Sequence, residues 1–447
     1  MGVIGAGRFG TMFLAQARQT PGMHIVGVVD AAPGRARCAL RKAGWSDADI
    51  GATSVERALR DSTTCAHHDA AELIAAAGLD VVVEATGDPR AGVEHALMCV
   101  SHGRHIVMGN VEADALAGPV LAQRALAAGV VYSLAYGDQP ALICELVDWA
   151  RTCGLEVVCA GKGTRYLPGF ERSTPDDVWL HYGISAEEAA EAGLNRQMFN
   201  SFVDGTKSAV EMAAVANAAD LQIQERGLGF PPAGVDSVAD VCHSRQTGGC
   251  LDRDGTVEVV SCLQRDGAPV PRDLRWGVYV TFRTDSEYAT RALAAYGVQM
   301  DRSLRYGALY RPVHLVGLEV GVSVATAALA QEATGVASAF CGDVVAVAKR
   351  DLAVGEILDG EGGFAVWGRL VAARKSVGDG CLPIGLAGGA RVTRPVARGD
   401  VLTWRDVALE REDVAVSVRR ELERWIAPAS GGAREERGRA AAPPVQT

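Results

Sequence analysis

The opening of the chain constrains it most. Gly5-Ala6-Gly7-Arg8-Phe9-Gly10 follows the apolar run Met1–Ile4 directly and leads straight into a helical pattern, Thr11–Gln19. In such a turn Gly5 permits the tight bend, Gly7 lets bare backbone approach a pyrophosphate, and Gly10 allows helix and strand to pack closely. The helix N-terminus then offers free amides and the positive end of its dipole to an anion. Asp30 stands twenty residues past Gly10, at the end of the second apolar run, where a carboxylate for an adenosine ribose is expected. The first strand has only about four residues before the glycines, against ~5–6 in an ordinary strand. The chain is therefore expected to lack a few native N-terminal residues.

Short apolar runs recur through the first 155 residues: Ile25–Val29, Val81–Val83, Ile106–Met108 and Val130–Tyr132. Alanine-rich amphipathic stretches (Ala70–Ala77, Ala91–Ser101) lie between them. This alternation predicts a Rossmann-type, doubly wound parallel sheet covered by helices, an α/β fold, over 1–155. The next stretch, 156–340, has an α+β texture and is expected to carry the substrate. It shows a strand at Glu156–Ala160, a long helix from Ser201 through Ala219, an antiparallel section over Thr256–Leu263 and Trp276–Thr284, and a helix at Glu287–Tyr296. Over 341–410, short apolar pieces alternate with Gly, Pro and Asp turns and predict a small β-rich domain. Pro428–Thr447 holds almost no bulky apolar residue and is expected to be a disordered tail.

At 447 residues and ~150 per domain, about three domains are expected. The formal charge of −10 argues against a nucleic-acid partner. No apolar run is long enough for a membrane span, and no export signal is visible. Eleven cysteines, an odd number without a CxxC pair, fit reduced thiols in the cytosol. A cytoplasmic homo-oligomer is expected.

Further residues extend the nucleotide site. Ala85-Thr86-Gly87 ends the Val81–Glu84 run, and Asn110 ends the next one, placed to touch a nicotinamide ribose. Asp30 favours NAD by repelling a 2′-phosphate, whereas Arg35 and Arg37 could embrace one; both arginines could also be a solvated helix start.

The middle of the chain carries the ionisable groups. Lys162 is read in a Gly-Lys-Gly loop after a strand, with Arg165 and Tyr166 placed to grip phosphate or diol. Asn200, Asp204, Lys207 and Glu211 follow at spacings of four, three and four, on one face of a continuous helix, with Ser201 and Thr206 beside them. A solvated face is the bland alternative. Lys207 is taken as an electrostatic or acid/base group, Asn200 and Asp204 as substrate or metal contacts, and Ser201 as a substrate contact. Arg311 is assigned to phosphate and His314 to proton transfer. Glu112 and Asp114 could ligate a divalent metal, but a solvated loop is the simpler reading. Cys242-His243 with Cys250 and Cys262 lacks zinc-ligand spacing, and His67-His68 reads as a surface loop.

Several stretches together carry a family resemblance. They are Gly5–Gly10 with Val83-Glu84-Ala85-Thr86-Gly87, Ala160–Pro168 with Phe199–Lys207, and Tyr310–Glu319. Jointly they resemble homoserine-dehydrogenase-like proteins with a C-terminal SAF domain, and within these the 1-deoxy-D-xylulose 5-phosphate reductoisomerase-like enzymes. Ala348–Glu356, Leu382–Leu386 and Val396–Leu402 look like the SAF domain. One departure stands out: Asn110 is followed by Val111, where true homoserine dehydrogenases carry lysine. The resemblance implies conversion of 1-deoxy-D-xylulose 5-phosphate, or a related small sugar phosphate, with NADPH (NADH being possible). Divalent metal dependence stays open. The alternatives are a simple dehydrogenase of a polyol or semialdehyde and a non-catalytic NAD(P)-binding regulator.

Overall fold

The computed structural model describes residues 1–32, 34–191 and 193–426. The tail expected over Pro428–Thr447 lies outside them. Among the described residues no helix is long and apolar enough to cross a membrane.

The first sheet has six parallel strands: β1 (Gly2–Ile4), β2 (Gly27–Val29), β3 (Cys65–His67), β4 (Val81–Glu84), β5 (His105–Met108) and β6 (Tyr132–Leu134). Their spatial order is β3-β2-β1-β4-β5-β6, the doubly wound order whose reversal beside β1 opens a crevice for a dinucleotide. The strands are apolar on both faces because both are covered. Val3, Val28, Val83 and Val107 pack with Phe13 and Leu14, while Ile4, Val82, Ile106 and Tyr132 pack with Val93 and Ala96 on the other side. His67, expected in a surface loop, closes the edge strand β3, too short to announce itself by pattern.

The second sheet is mixed. It comprises β7 (Glu156–Thr164), β8 (Thr256–Ser261), β9 (Val278–Arg283), β10 (Gln299–Met300) and β11 (Tyr306–Arg311), in the order β10-β11-β9-β7-β8. Two expectations are corrected here. First, β8 and β9 do not pair with each other; they flank β7 on opposite sides, β8 parallel and β9 antiparallel to it. Second, Lys162 is not in a loop, because β7 runs on to Thr164 with Lys162 opposite Val278 and Val259. Neighbouring backbone explains the flanking glycines: a Cβ at Gly161 would overlap the Glu258 carbonyl, and one at Gly163 the Leu274 carbonyl.

The long helix expected from Ser201 is two helices, Arg196–Val203 and Thr206–Ala219. They break at Asp204-Gly205, where Gly205 takes φ +88°, a conformation open to glycine at little cost. The second helix is buried almost all round. Val215 and its neighbours share one core with Val257, Val280 and Phe282 of the mixed sheet and with Val344, Val366 and Leu370 of the C-terminal part. Alanines suit a helix clasped on both sides because they let both neighbours come close. Within it Asn217 accepts from the amides of Cys341 and Gly342 (2.8 and 2.9 Å).

The C-terminal part centres on the antiparallel pair β12 (Gly342–Ala348) and β13 (Val366–Ala372). The helix Val414–Arg424 returns to the first domain. Its Arg419, fully buried, donates to both carboxylate oxygens of Asp343 and to Glu423.

Candidate active site

The glycine turn is built as a cradle. Gly5 has φ +101°, and a Cβ there would strike the Ala85 carbonyl; one at Gly10 would overlap the carbonyl oxygen of Gly5. The chain's own backbone thus demands both glycines. Nothing lies within 4 Å of the place a Gly7 Cβ would occupy, so bare main chain faces the crevice. Arg8 is exposed in the first turn of the helix Arg8–Ala17, and Phe9 packs under Gly109. Asp30 accepts from the amides of Ala6 (2.9 Å) and Ala32 (3.0 Å), and Arg35 Nε lies 3.8 Å from it. This donor set fits the diphosphate and ribose of a nicotinamide dinucleotide.

Asn110 is fully buried and committed inward. Its Nδ2 donates to Thr86 Oγ1 (3.2 Å) and to the Asp88 carbonyl (2.8 Å), and its Oδ1 caps the helix Val111–Ala127 through the Ala113 amide. It ties the ends of β4 and β5 together at the carboxyl edge of the sheet. Glu112 and Asp114, read as a solvated loop, lie in the first turn of that helix. Asp114 is fully buried, its Oδ1 accepting from the Tyr132 hydroxyl (2.9 Å) and its Oδ2 unpartnered. Burial pushes this carboxyl up to about 7.

Glu112 belongs to a charge cluster beside the crevice. Lys207, from the first turn of the Thr206–Ala219 helix, pairs with Glu112; one turn on, Glu211 pairs with Lys162 of β7. Lys162 and Glu211 are almost wholly buried. Burial opposes the Lys207 charge, but Glu112, Glu211, Asp138 and Glu361 outweigh it and hold the amine above its usual range. Asp138 is buried just after β6, at the head of the helix Gln139–Thr152. Burial, reinforced by Glu211 and Glu112 against the pull of Lys207, pushes its carboxyl up to about 7. Glu361, from the C-terminal domain, lines a small cleft with Glu112 and Val210. Burial and the Glu112 charge push it up to about 8. At pH 7 burial thus leaves Glu361 mostly protonated and Asp138 about half so, beside the charged amine of Lys207.

His314 completes it. Its Nδ1 lies 2.7 Å from the Trp276 carbonyl, which can only accept, so Nδ1 carries the hydrogen and Nε2 keeps a free lone pair. Burial and the Lys162 charge lower its pKa despite Glu211 and Glu319, so the ring is neutral at pH 7.

Other candidates sit elsewhere. Arg311 is engaged by Glu319 and by the Tyr136 hydroxyl (3.3 Å). Tyr166 donates to Glu171 (3.1 Å) and stacks on Phe230. Asn200 donates to the carbonyls of Ser173 (3.1 Å) and Gly362 (2.9 Å), while Ser201 donates to Met198 (2.8 Å). Asp204 accepts from Lys349 (2.8 Å), and so helps hold the C-terminal domain against the middle one. Arg165 is half-buried near the mixed sheet's end. The fold thus gathers Lys162, Lys207, Glu211, Glu112 and His314, and places Asn200, Ser201 and Asp204 along an interdomain seam. Sequence reasoning missed Asp138, Lys349 and Glu361. Asp138 reads only as a helix cap, but Glu361, within Asp359-Gly360-Glu361-Gly362-Gly363, had a usable signal in its flanking glycines. Among the described residues no group of three or more His, Cys, Asp and Glu side chains is arranged to hold a metal ion.

Residues 1–133 match the homoserine dehydrogenase NAD-binding domain, and residues 137–320 match the catalytic domain described as oxidoreductase DRL. Both family models describe parts of oxidoreductases, the first of them an NAD-binding domain. Residues 343–408 match the SAF domain. No curated protein matches the chain significantly. Among solved structures it is similar to a putative myo-inositol dehydrogenase from Sinorhizobium meliloti 1021, at 16% identity and TM-score 0.26, over 40% of this chain and 47% of that one. It is also similar to biliverdin reductase from Synechocystis sp. PCC 6803, at 15% identity and TM-score 0.26, over 38% and 47% of the two chains. A probable dehydrogenase from Thermotoga maritima matches at 12% identity and TM-score 0.36, over 73% and 86%. The chain spans about half the length of the first two. Likeness at this level carries no argument about substrate.

Proposed function

We propose that the protein is an NAD(P)H-dependent reductoisomerase acting on 1-deoxy-D-xylulose 5-phosphate or a closely related sugar phosphate. The observation that supports this most is the pair of buried amine–carboxylate contacts, Lys162–Glu211 and Lys207–Glu112, beside a neutral histidine. A skeletal rearrangement next to a ketone has to polarise two oxygens, the carbonyl and a neighbouring hydroxyl, while a proton is removed. A simple dehydrogenase of a polyol or semialdehyde needs only one such donor.

On this reading Lys162 and Lys207 hold the two oxygens and His314 Nε2 takes the hydroxyl proton. One carbon–carbon bond breaks and another forms, leaving an aldehyde. Held by the glycine cradle and Asp30, a reduced nicotinamide dinucleotide would supply the hydride for the reduction of that aldehyde. Glu361, mostly protonated at pH 7, returns a proton to the new alkoxide, with half-protonated Asp138 as the second donor. Asn110 acts by fixing the strand ends under the nicotinamide. We assign NADPH as the cofactor, with Arg35 and Arg37 as the groups facing a 2′-phosphate; NADH is the alternative that Asp30 favours.

The test is NADPH oxidation against 1-deoxy-D-xylulose 5-phosphate, an amino-acid semialdehyde and a panel of small sugar phosphates, with products identified. Turnover to a branched polyol phosphate is expected, and Lys162→Ala or Lys207→Ala should abolish it while leaving nucleotide affinity intact. Absence of turnover with every phosphorylated ketose overturns the proposal.

A further inference from the structure

One cation just past the end of β7 has a buried donor without a partner among the described residues. Lys162, Lys207 and Arg311 are each paired with a carboxylate. Arg165, which follows β7 three residues beyond Lys162, instead has a buried Nε with no hydrogen-bond partner. A buried guanidinium donor left unsatisfied is costly, and each such group calls for an explanation.

A second arginine is brought to it by the backbone. A Cβ on Gly163 would overlap the Leu274 carbonyl and lie 2.9 Å from the Arg275 amide, and the Gly163 amide donates to the Gly277 carbonyl (3.0 Å). The turn Leu274–Gly277 is thus pressed against the end of β7. Both guanidinium charges act on the Tyr182 hydroxyl and on the Cys262 thiol, so they share one neighbourhood. Asp273 is the acidic group there; its Oδ1 accepts from the Arg275 amide (2.8 Å). The Arg275 guanidinium lies 4.8 Å from the centre of the Trp276 ring. The next link runs to the reacting groups, because the Trp276 carbonyl receives both the backbone amide (2.9 Å) and Nδ1 (2.7 Å) of His314.

We propose that Arg165 and Arg275, flanked by Trp276, form the subsite that grips the dianionic phosphate of a phosphate-monoester substrate whose other end lies at Lys162 and His314. The subsite rests on the functional reading above for the placement of that other end. Two guanidinium groups in one neighbourhood match the oxygens of a phosphate, and a stacked arginine keeps its fork pre-oriented. Arg311, assigned to phosphate from sequence, is held by Glu319 instead.

The intact protein, saturated with NAD⁺ to fill the nucleotide cradle, is titrated with inorganic phosphate while tryptophan fluorescence is followed. Trp276 is 58% exposed and the natural reporter. A saturable change is expected, lost in Trp276→Phe. Affinity should fall about 10- to 100-fold in Arg275→Gln and in Arg165→Gln, as for loss of one charge-assisted contact, with partial recovery in Arg275→Lys. Circular dichroism checks the fold of each variant, and Arg275, in a surface turn, serves if Arg165→Gln does not fold. With the phosphorylated ketose as substrate, KM should rise by a similar factor and kcat change less. No saturable change in the unmodified protein, or phosphate affinity unaltered in the folded variants, overturns the subsite. Phosphate bound at the arginines without turnover of any phosphorylated ketose removes the proposed function and leaves the subsite standing.

Discussion

Lys349 offers the sharpest test of how the C-terminal domain is joined to the site. Its Nζ is buried and all three hydrogens are used, on Asp204 Oδ2 (2.8 Å) and on the carbonyls of Ser173 and Gly363 (2.7 Å each). Lys349→Met removes the charge and leaves Asp204 buried beside an apolar chain. Removing one partner of a buried pair costs about 3–5 kcal/mol. Ser173 keeps the Asn200 amide as a donor, so Gly363 is the carbonyl newly left short. Protonation sets a ceiling. Forcing a proton onto an aspartate of ordinary pKa near 3.8 at pH 7 costs about 4 kcal/mol, at 1.36 per unit. The loss should therefore depend on pH. In the variant the folded-state pKa of Asp204 lies above its unfolded value, so the penalty is absent below about pH 4 and grows as pH rises. Urea unfolding at pH 7 and at pH 4.5 measures this, and Lys349→Met/Asp204→Asn should recover most of the pH 7 loss. Because Gly362 and Gly363 adjoin Glu361, kcat/KM should also drop about 10- to 100-fold, as for a displaced catalytic group. A loss below about 1 kcal/mol, or one equal at both pH values, would refute the reasoning.

Three further outcomes are expected. Gly7→Ala should leave thermal stability unchanged and weaken NADPH binding at least about tenfold, whereas Gly10→Ala, which drives a Cβ into the Gly5 carbonyl, should cost about 1–3 kcal/mol; equal melting losses for the two would contradict the cradle. His314 should give kcat/KM an acidic limb with its midpoint below 6.5, rising as the ring loses its proton and flat at neutrality, and His314→Asn should lower the plateau about 10²- to 10⁴-fold. A midpoint above 6.5 would exclude it as the base. Asp114→Asn should stabilise the protein by up to about 4 kcal/mol at pH 8 and hardly at all at pH 4. The reason is that a carboxyl raised to about 7 by burial carries a penalty that appears as pH rises from its unfolded value and is complete above 7; melting curves at the two pH values decide it.

The first sheet was legible because its glycine turn and apolar runs agree, down to Asp30 just past β2. The edge strand β3 was not, since three residues ending in histidine carry no period. The long helix was misread at Asp204-Gly205: spacings of three and four are blind to a single glycine in a left-handed conformation. For the same reason Asn200 and Asp204 looked like neighbours of Lys207 and Glu211, although they lie before the break and turn to the C-terminal domain. Gly161 and Gly163 suggested a loop because sequence does not distinguish a glycine freed for a ligand from one squeezed by Glu258 and Leu274. Glu112 and Glu361 lie about 250 residues apart in sequence, and only packing of the Thr206–Ala219 helix between two sheets brings both toward Lys207.

The pairing of both lysines looks at first like an obstacle to catalysis, since each amine is already held by a carboxylate. For Lys207 it is better understood as the means of keeping a buried amine charged: burial alone would pull its pKa down, and the neighbouring carboxylates, Glu112 first, raise it. A neutral carbonyl competes poorly with Glu211 or Glu112 for such a donor, whereas an oxygen acquiring negative charge competes well. The contacts therefore strengthen as the reaction proceeds, which is what accelerates a chemical step. On that argument Glu112→Gln should weaken catalysis by removing the charge that does most to hold Lys207 protonated, even though it frees the amine to meet the substrate.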